Sequence, residues 1–144
     1  MGRQPIQVEA FLFRFVNGAC QYLLLKRIAS RGGFWQPITG GLEEGEELRD
    51  AVIREVEEET GIKKIKRIIE DVHQFTLEEE QHRKEYVFGV EINPNEEVVL
   101  DNNVYVEHDN HKWCFLDEAI QLLKWPGNKT GLQKLHKMLE SNGF

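Results

Sequence analysis

The order of patterns along the chain predicts an α+β fold: a mixed sheet with helices packed on it. Strand-rich runs come first, one strongly charged helical segment sits mid-chain, and amphipathic helical segments close it. Apolar content of 40% and charged content of 30% over 144 residues suit a single globular domain spanning residues 1–144.

Residues 6–15 and 19–27 read as strands because β-branched, aromatic and leucine side chains dominate them, and Asn17-Gly18 between them is a strong hairpin-turn signal. Ser30-Arg31-Gly32-Gly33 marks a loop, followed by a short apolar run from Phe34 to Thr39. A helix is expected from about Glu47 to Thr60: Leu48, Val52 and Val56 recur every fourth position, and Gly61 stands where a C-terminal cap belongs. Residues 65–75 and 85–92 read as strands joined by a charged loop, and residues 111–116 as another. Asp117 is expected to cap a helix through Lys124, which Trp125-Pro126-Gly127 interrupts. A last helix over residues 130–141 carries Leu132, Leu135 and Leu139 on one face.

Bulk properties exclude several classes. No apolar run approaches the roughly 18 residues needed to span a bilayer. The N-terminus lacks a basic start with an apolar stretch, and Ile6 stands where a myristoylation start wants Ser or Thr. Cys20 and Cys114 have no metal-ligand spacing and read as buried free thiols in a reducing, cytoplasmic setting. A net charge of −7 argues against a nucleic-acid polymer as partner, and the lack of a spanning apolar run against a membrane. The sequence leaves open whether the chain is a monomer or a homodimer.

The informative stretch is GGLEEGEELRDAVIREVEEETGI, from Gly40 to Ile62. At about 100° per residue, Glu58 and Glu59 fall near −60° and +40° from Glu55, so three carboxylates share one helix arc. Like charges at that spacing destabilise a helix by a few tenths of a kcal/mol per pair, and a divalent cation would neutralise them. A Glu-rich solvated face is the plainer reading, and twenty of the 25 acids are Glu. That reading leaves unexplained why two glycines, an arginine and two apolar residues fall in frame as well.

In that frame the chain resembles the Nudix hydrolases, whose signature runs glycine, five residues, Glu, seven residues, then Arg-Glu-apolar-any-Glu-Glu-any-Gly-apolar. Gly40, Glu46, Arg54, Glu55, Val56, Glu58, Glu59, Gly61 and Ile62 fill every specified position. The resemblance implies an α/β/α sandwich and hydrolysis of a phosphoanhydride. It implies that Glu55, Glu58 and Glu59 hold metal, with Glu58 also catalytic and Arg54 anchoring the carboxylates. Mg²⁺ suits such oxygen donors, and Mn²⁺ is the alternative. Glu46 is expected as the arginine's partner, and Gly40 and Gly41 as backbone that passes close to metal and substrate. Several Nudix groups also bring a late glutamate back to the metal, and Glu107, in an expected loop at Tyr105-Val106-Glu107-His108, fits as a catalytic residue. His108 reads as a loop histidine without a task.

Arg27, at a strand end, is a candidate phosphate grip or a solvated terminus, and Trp35 a candidate ring platform or a core aromatic. Phe34-Trp35-Gln36-Pro37-Ile38-Thr39-Gly40-Gly41 and the stretch from Glu107 to Trp113 resemble the branch of dATP and dihydroneopterin triphosphate pyrophosphohydrolases. That branch implies a nucleotide or pterin triphosphate as partner and pyrophosphate as product. Asymmetric diadenosine tetraphosphate hydrolases are the neighbouring alternative, although Cys114-Phe115 departs from their ending. A silent nucleotide-sensing domain is the remaining one, although no signature carboxylate is missing. Residues 77–104 match no pattern, and no EF-hand loop is present.

Overall fold

The computed structural model describes residues 5–100 and 107–142. β1 (Ile6–Val16) and β2 (Ala19–Arg27) form the expected hairpin. Asn17 and Gly18 turn it with φ of 52° and 80°, the left-handed geometry that matches strand twist. Pro37 splits the next apolar run into β3 (Trp35–Gln36) and β4 (Ile38–Gly41), since it has no N–H for a ladder. α1 (Leu48–Thr60) ends where Gly61, at φ 76°, donates its N–H to the Glu57 carbonyl at 2.8 Å. β5 (Arg67–Leu77), β6 (Arg83–Glu91), β7 (His108–Cys114), α2 (Leu116–Leu122) and α3 (Pro126–Ser141) follow.

The strands make one seven-stranded sheet in the order β3-β2-β1-β6-β5, with β4 paired to β1 and β7 to β2. β1 and β6 run parallel, whereas β1–β2, β1–β4, β2–β3, β2–β7 and β5–β6 are antiparallel. The sheet is therefore mixed. Alternation along each strand sorts its side chains onto opposite faces. Val8, Ala10, Leu12, Leu23, Leu25, Phe88 and Val90 pack on Ala51, Val52 and Val56 of α1. Phe11, Phe13, Tyr22, Leu24 and Val87 pack on Ala119 of α2 and on Leu132, Leu135 and Leu139 of α3. Burial on both faces explains why β1 and β2 read as nearly continuous apolar runs. The architecture is the α/β/α sandwich the sequence predicts.

Most boundaries shift by one or two residues, and three differences have a local cause. β7 starts at His108 rather than at residue 111, because its pairing with β2 extends to Arg27. Asp117 does not cap α2: Phe115 holds the cap position, and Asp117 lies in the first turn, where its charge favours the helix dipole. Trp125-Pro126-Gly127 begins α3 rather than separating two helices, with Pro126 at the first turn where a missing N–H costs nothing.

Candidate active site

α1 turns its carboxylate arc toward β4, and Arg54 sits at the hub of the acids around it. Arg54 Nε and Nη2 donate to the two Glu46 carboxylate oxygens at 2.8 and 2.9 Å. Nη1 donates to Glu55 Oε2 at 2.7 Å, and Nη2 also donates to the Gly41 carbonyl at 2.9 Å. Glu58 stands at the outer edge, 3.4 Å from Nη1, with its side chain 45% exposed. A planar guanidinium can serve three directions at once in this way, and an ammonium cannot.

The two glycines of the loop contribute differently. A Cβ on Gly40 would lie 1.9 Å from Glu55 Cδ, so glycine is what leaves room for that carboxylate. A Cβ on Gly41 would meet nothing within 4 Å; Gly41 is tied to the site by its carbonyl. The electrostatics follow the same geometry. Hydrogen bonds from Arg54 hold the Glu46 carboxyl down at about 2. Burial pushes Glu55 up to about 7, with Glu58 and Glu59 adding to the rise and Arg54 opposing it.

Glu59 is held by a separate set of contacts, from β7 and β3. His108 Nδ1 lies 3.1 Å from Glu59 Oε2, and His108 Nε2 lies 2.9 Å from Gln36 Nε2. One tautomer satisfies all of it: Gln36 donates to Nε2, and the Nδ1–H donates to Glu59. All three residues are buried. His108, expected as an idle loop residue, is the first residue of β7 and holds a carboxylate of α1 in place. Its neighbour Glu107 lies just ahead of the strand, anchored by the hydrogen bond from the Ile28 N–H to its carbonyl at 3.0 Å. Tyr105 and Val106, the rest of the expected loop, lie outside the described residues. Donor atoms of Glu59, Glu107 and His108 fall within 4.8 Å of one another. With both ring nitrogens of His108 engaged, the donors left to consider are carboxylate oxygens, and an oxygen donor set with surplus negative charge fits a hard divalent cation.

A cleft of about 280 Å³ opens beside this cluster. Gln36 connects it to Glu59 through His108, Arg27 and Thr39 line it, and Phe34, Phe75 and Trp125 supply its apolar wall. Trp35 does not line it. Phe34 and Gln36 face the cleft, so strand alternation sends Trp35 to the other side, where it packs against the core under α2 and α3. The aromatic pair at the cleft is instead Phe34 and Trp125, whose rings meet edge-on at 5.8 Å. Trp125 was hidden in the sequence because Trp125-Pro126-Gly127 reads as a chain break. Gln36 and His108 are joined by the fold alone, 72 residues apart.

Comparison with known proteins accords with this geometry. The NUDIX domain family model matches residues 5–135, and the chain belongs to the Nudix hydrolase family. An octanoyltransferase of Myxococcus xanthus is 38% identical over 115 residues, which is 78% of this chain and 31% of that protein. The chain thus spans about a third of that relative's length. The asymmetrical bis(5'-nucleosyl)-tetraphosphatase of Caenorhabditis elegans is 30% identical over 131 residues, covering 89% of this chain and 91% of that enzyme. Among solved structures, a Nudix hydrolase of Listeria monocytogenes superposes with a TM-score of 0.82 at 25% identity, covering 96% of this chain and 97% of that one. A C. elegans Ap4A hydrolase binary complex gives 0.80 at 25% identity, covering 95% and 98%. The E. coli dihydroneopterin triphosphate pyrophosphohydrolase gives 0.72 at 22% identity, covering 90% and 92%, a likeness of fold. The chain is accordingly of the Nudix type, and relatives it matches over most of their length are asymmetrical bis(5'-nucleosyl)-tetraphosphatases.

Proposed function

We propose that the chain is a divalent-metal-dependent pyrophosphohydrolase acting on a nucleoside- or pterin-triphosphate-like substrate, which it cuts to the monophosphate and pyrophosphate. The observation that carries this reading is the convergence of Glu59 of α1 with Glu107 and His108 beside a cleft walled by aromatic rings. Glu55, Glu58 and Glu59, with Glu107, would hold Mg²⁺, or Mn²⁺ with its similar taste for oxygen donors. When bound, the ion neutralises phosphate oxygens whose charge otherwise repels incoming water.

The remaining work falls to this chain's own side chains. Arg54 keeps Glu46, Glu55 and the Gly41 carbonyl in one arrangement, so the carboxylates do not splay under their own repulsion. His108 holds Glu59. Glu58, partly exposed, or Glu107 would take the proton from the attacking water. Arg27 and the aromatic wall hold the ring end while the carboxylate end fixes the phosphates, so one phosphorus is favoured for attack. The retained signature carboxylates and Arg54 argue against a silent sensing domain.

A second reading has a specific observation behind it. Relatives that this chain matches over 83–91% of their own length are asymmetrical tetraphosphatases, which favours diadenosine tetraphosphate as substrate. On that reading one adenine occupies the cleft and the products are ATP and AMP. Turnover with Mg²⁺ over dATP, dihydroneopterin triphosphate and diadenosine tetraphosphate in oxygen-18 water, with labelled fragments identified by mass, decides between them. Pyrophosphate and a monophosphate as first products support the first reading, and orthophosphate as first product refutes it. A strong preference for the dinucleotide promotes the second.

A further inference from the structure

Behind the aromatic wall, the floor of the cleft is polar and almost fully buried: Glu9 is 3% exposed, Glu85 1% and Asn128 4%. Side chains of these types rarely sit so deep unless they are paired. Arg83 Nε donates to Glu85 Oε2 at 2.6 Å. Burial and the hydrogen bond shared with Glu85 push the Glu9 carboxyl well above the ordinary carboxylate range. Glu9 Oε1 in turn accepts from Asn128 Nδ2 at 2.7 Å. That bond fixes the Asn128 amide: its nitrogen is committed to Glu9, and its carbonyl oxygen is turned away from it.

Among the described residues, the buried side-chain polar atoms without a hydrogen-bond partner are Asn128 Oδ1 and Arg27 Nε. Both residues line this cleft. Folded proteins pair nearly all such atoms, so an acceptor and a donor left open in one cleft point to a ligand that fills them. The cleft volume of about 280 Å³ is at the lower end of small-molecule sites and suits one planar ring system rather than a whole dinucleotide. Phe34, Phe75 and Trp125 supply the surface on which such a ring stacks.

We propose that this cleft selects the heterocycle of the substrate, and that Asn128, oriented by Glu9, reads an exocyclic amino group through its open carbonyl oxygen. Arg27 Nε supplies the complementary donor to a ring nitrogen or oxygen. The inference rests on the cleft being the ring-binding part of the active site, but its test needs no turnover. A buried acceptor left unpaired discriminates sharply against an analogue lacking the donor, which sets the expected effect.

The test is binding of matched pairs to the full chain by calorimetric titration without metal. AMP against purine riboside monophosphate differs in the 6-amino group alone, and GMP against IMP in the 2-amino group alone. Pterin against lumazine replaces the 2-amino group by oxygen. Preference for the amino-bearing member by about tenfold or more in at least one pair is expected. Asn128→Leu, which keeps the branched shape and removes the polar atoms, should abolish that preference while holding the amino-free analogue within about threefold. Affinities equal within about twofold in every pair, no binding by any of the six, or a preference retained in Asn128→Leu overturns the proposal; the wild-type pairs decide it even if the variant does not fold. Preferential binding without hydrolysis of any triphosphate sinks the catalytic reading instead and leaves this site standing.

Discussion

Gly40→Ala is the smallest change that tests the geometry of the carboxylate cluster. The added Cβ would stand 1.9 Å from Glu55 Cδ and 2.2 Å from its Oε2. Carbon atoms pack at about 3.5–4.0 Å, so the carboxyl must retreat by roughly 1.6 Å or more. It has little freedom to do so. Glu55 is 7% exposed, its backbone lies inside α1, and its Oε2 is held by Arg54 at 2.7 Å. The retreat therefore breaks the Arg54 contact and moves a proposed metal ligand. Misplacement of about 1 Å lowers turnover by on the order of 10²-fold, and crowding a packed site lowers stability by about 1–3 kcal/mol. Gly40 has an ordinary φ, so backbone strain does not confuse the result. Steady-state kinetics with Mg²⁺ beside a thermal melt measures both effects. Gly41→Ala, which meets nothing within 4 Å, should leave Glu55 and the melt unchanged. Turnover in Gly40→Ala within about twofold of wild type would refute the reasoning that Glu55 must occupy this position.

Other expectations follow from the same contacts. Arg54→Lys keeps the charge but cannot hold Glu46, Glu55 and the Gly41 carbonyl together, so kcat should fall on the order of 10²-fold; near-normal turnover reassigns Arg54 to simple pairing. Glu107→Gln should lower kcat with little change in KM, whereas a bystander changes neither. In metal-free protein, Glu55 titrates at about 7 when folded against an ordinary 4.5. A raised value means its contribution to stability is complete below pH 4.5 and is lost as pH rises to about 7. Allowing for partial solvent screening, that loss is on the order of 1–3 kcal/mol, and chemical denaturation across this window should show it. Glu55→Gln should flatten the slope, and an unchanged slope in the variant contradicts the assignment.

Much of this fold was legible because local chemistry and fold agree. Asn17-Gly18 can hardly do anything but turn a hairpin, and Leu48, Val52 and Val56 mark the buried stripe of α1 beside its carboxylate arc. The resemblance placed Arg54 and its acids in one frame, and the structure brings Arg54 to Glu46, Glu55 and Gly41. What stayed hidden is what only strand pairing creates. His108 meets Glu59 because β7 pairs with β2 beyond the apolar residues that mark a strand. Trp125 and Asn128 were masked by Pro126, which breaks a helix interior but opens a first turn equally well. Glu9 did carry a signal. It is in phase with Phe11 and Phe13, so period-two alternation places an acid on a buried face, where a charge in solvent does not belong.

The central claim is that the α1 carboxylates hold a divalent ion for phosphoanhydride hydrolysis. Turnover of the favoured triphosphate, titrated with Mg²⁺ from chelator-treated protein, tests it directly in wild type, Glu58→Gln and Glu59→Gln. These substitutions keep shape and remove charge, so the account predicts folded proteins with kcat lowered by orders of magnitude and no wild-type activity without metal. Full activity in excess chelator, or glutamine variants that saturate with Mg²⁺ and turn over like wild type, would contradict it.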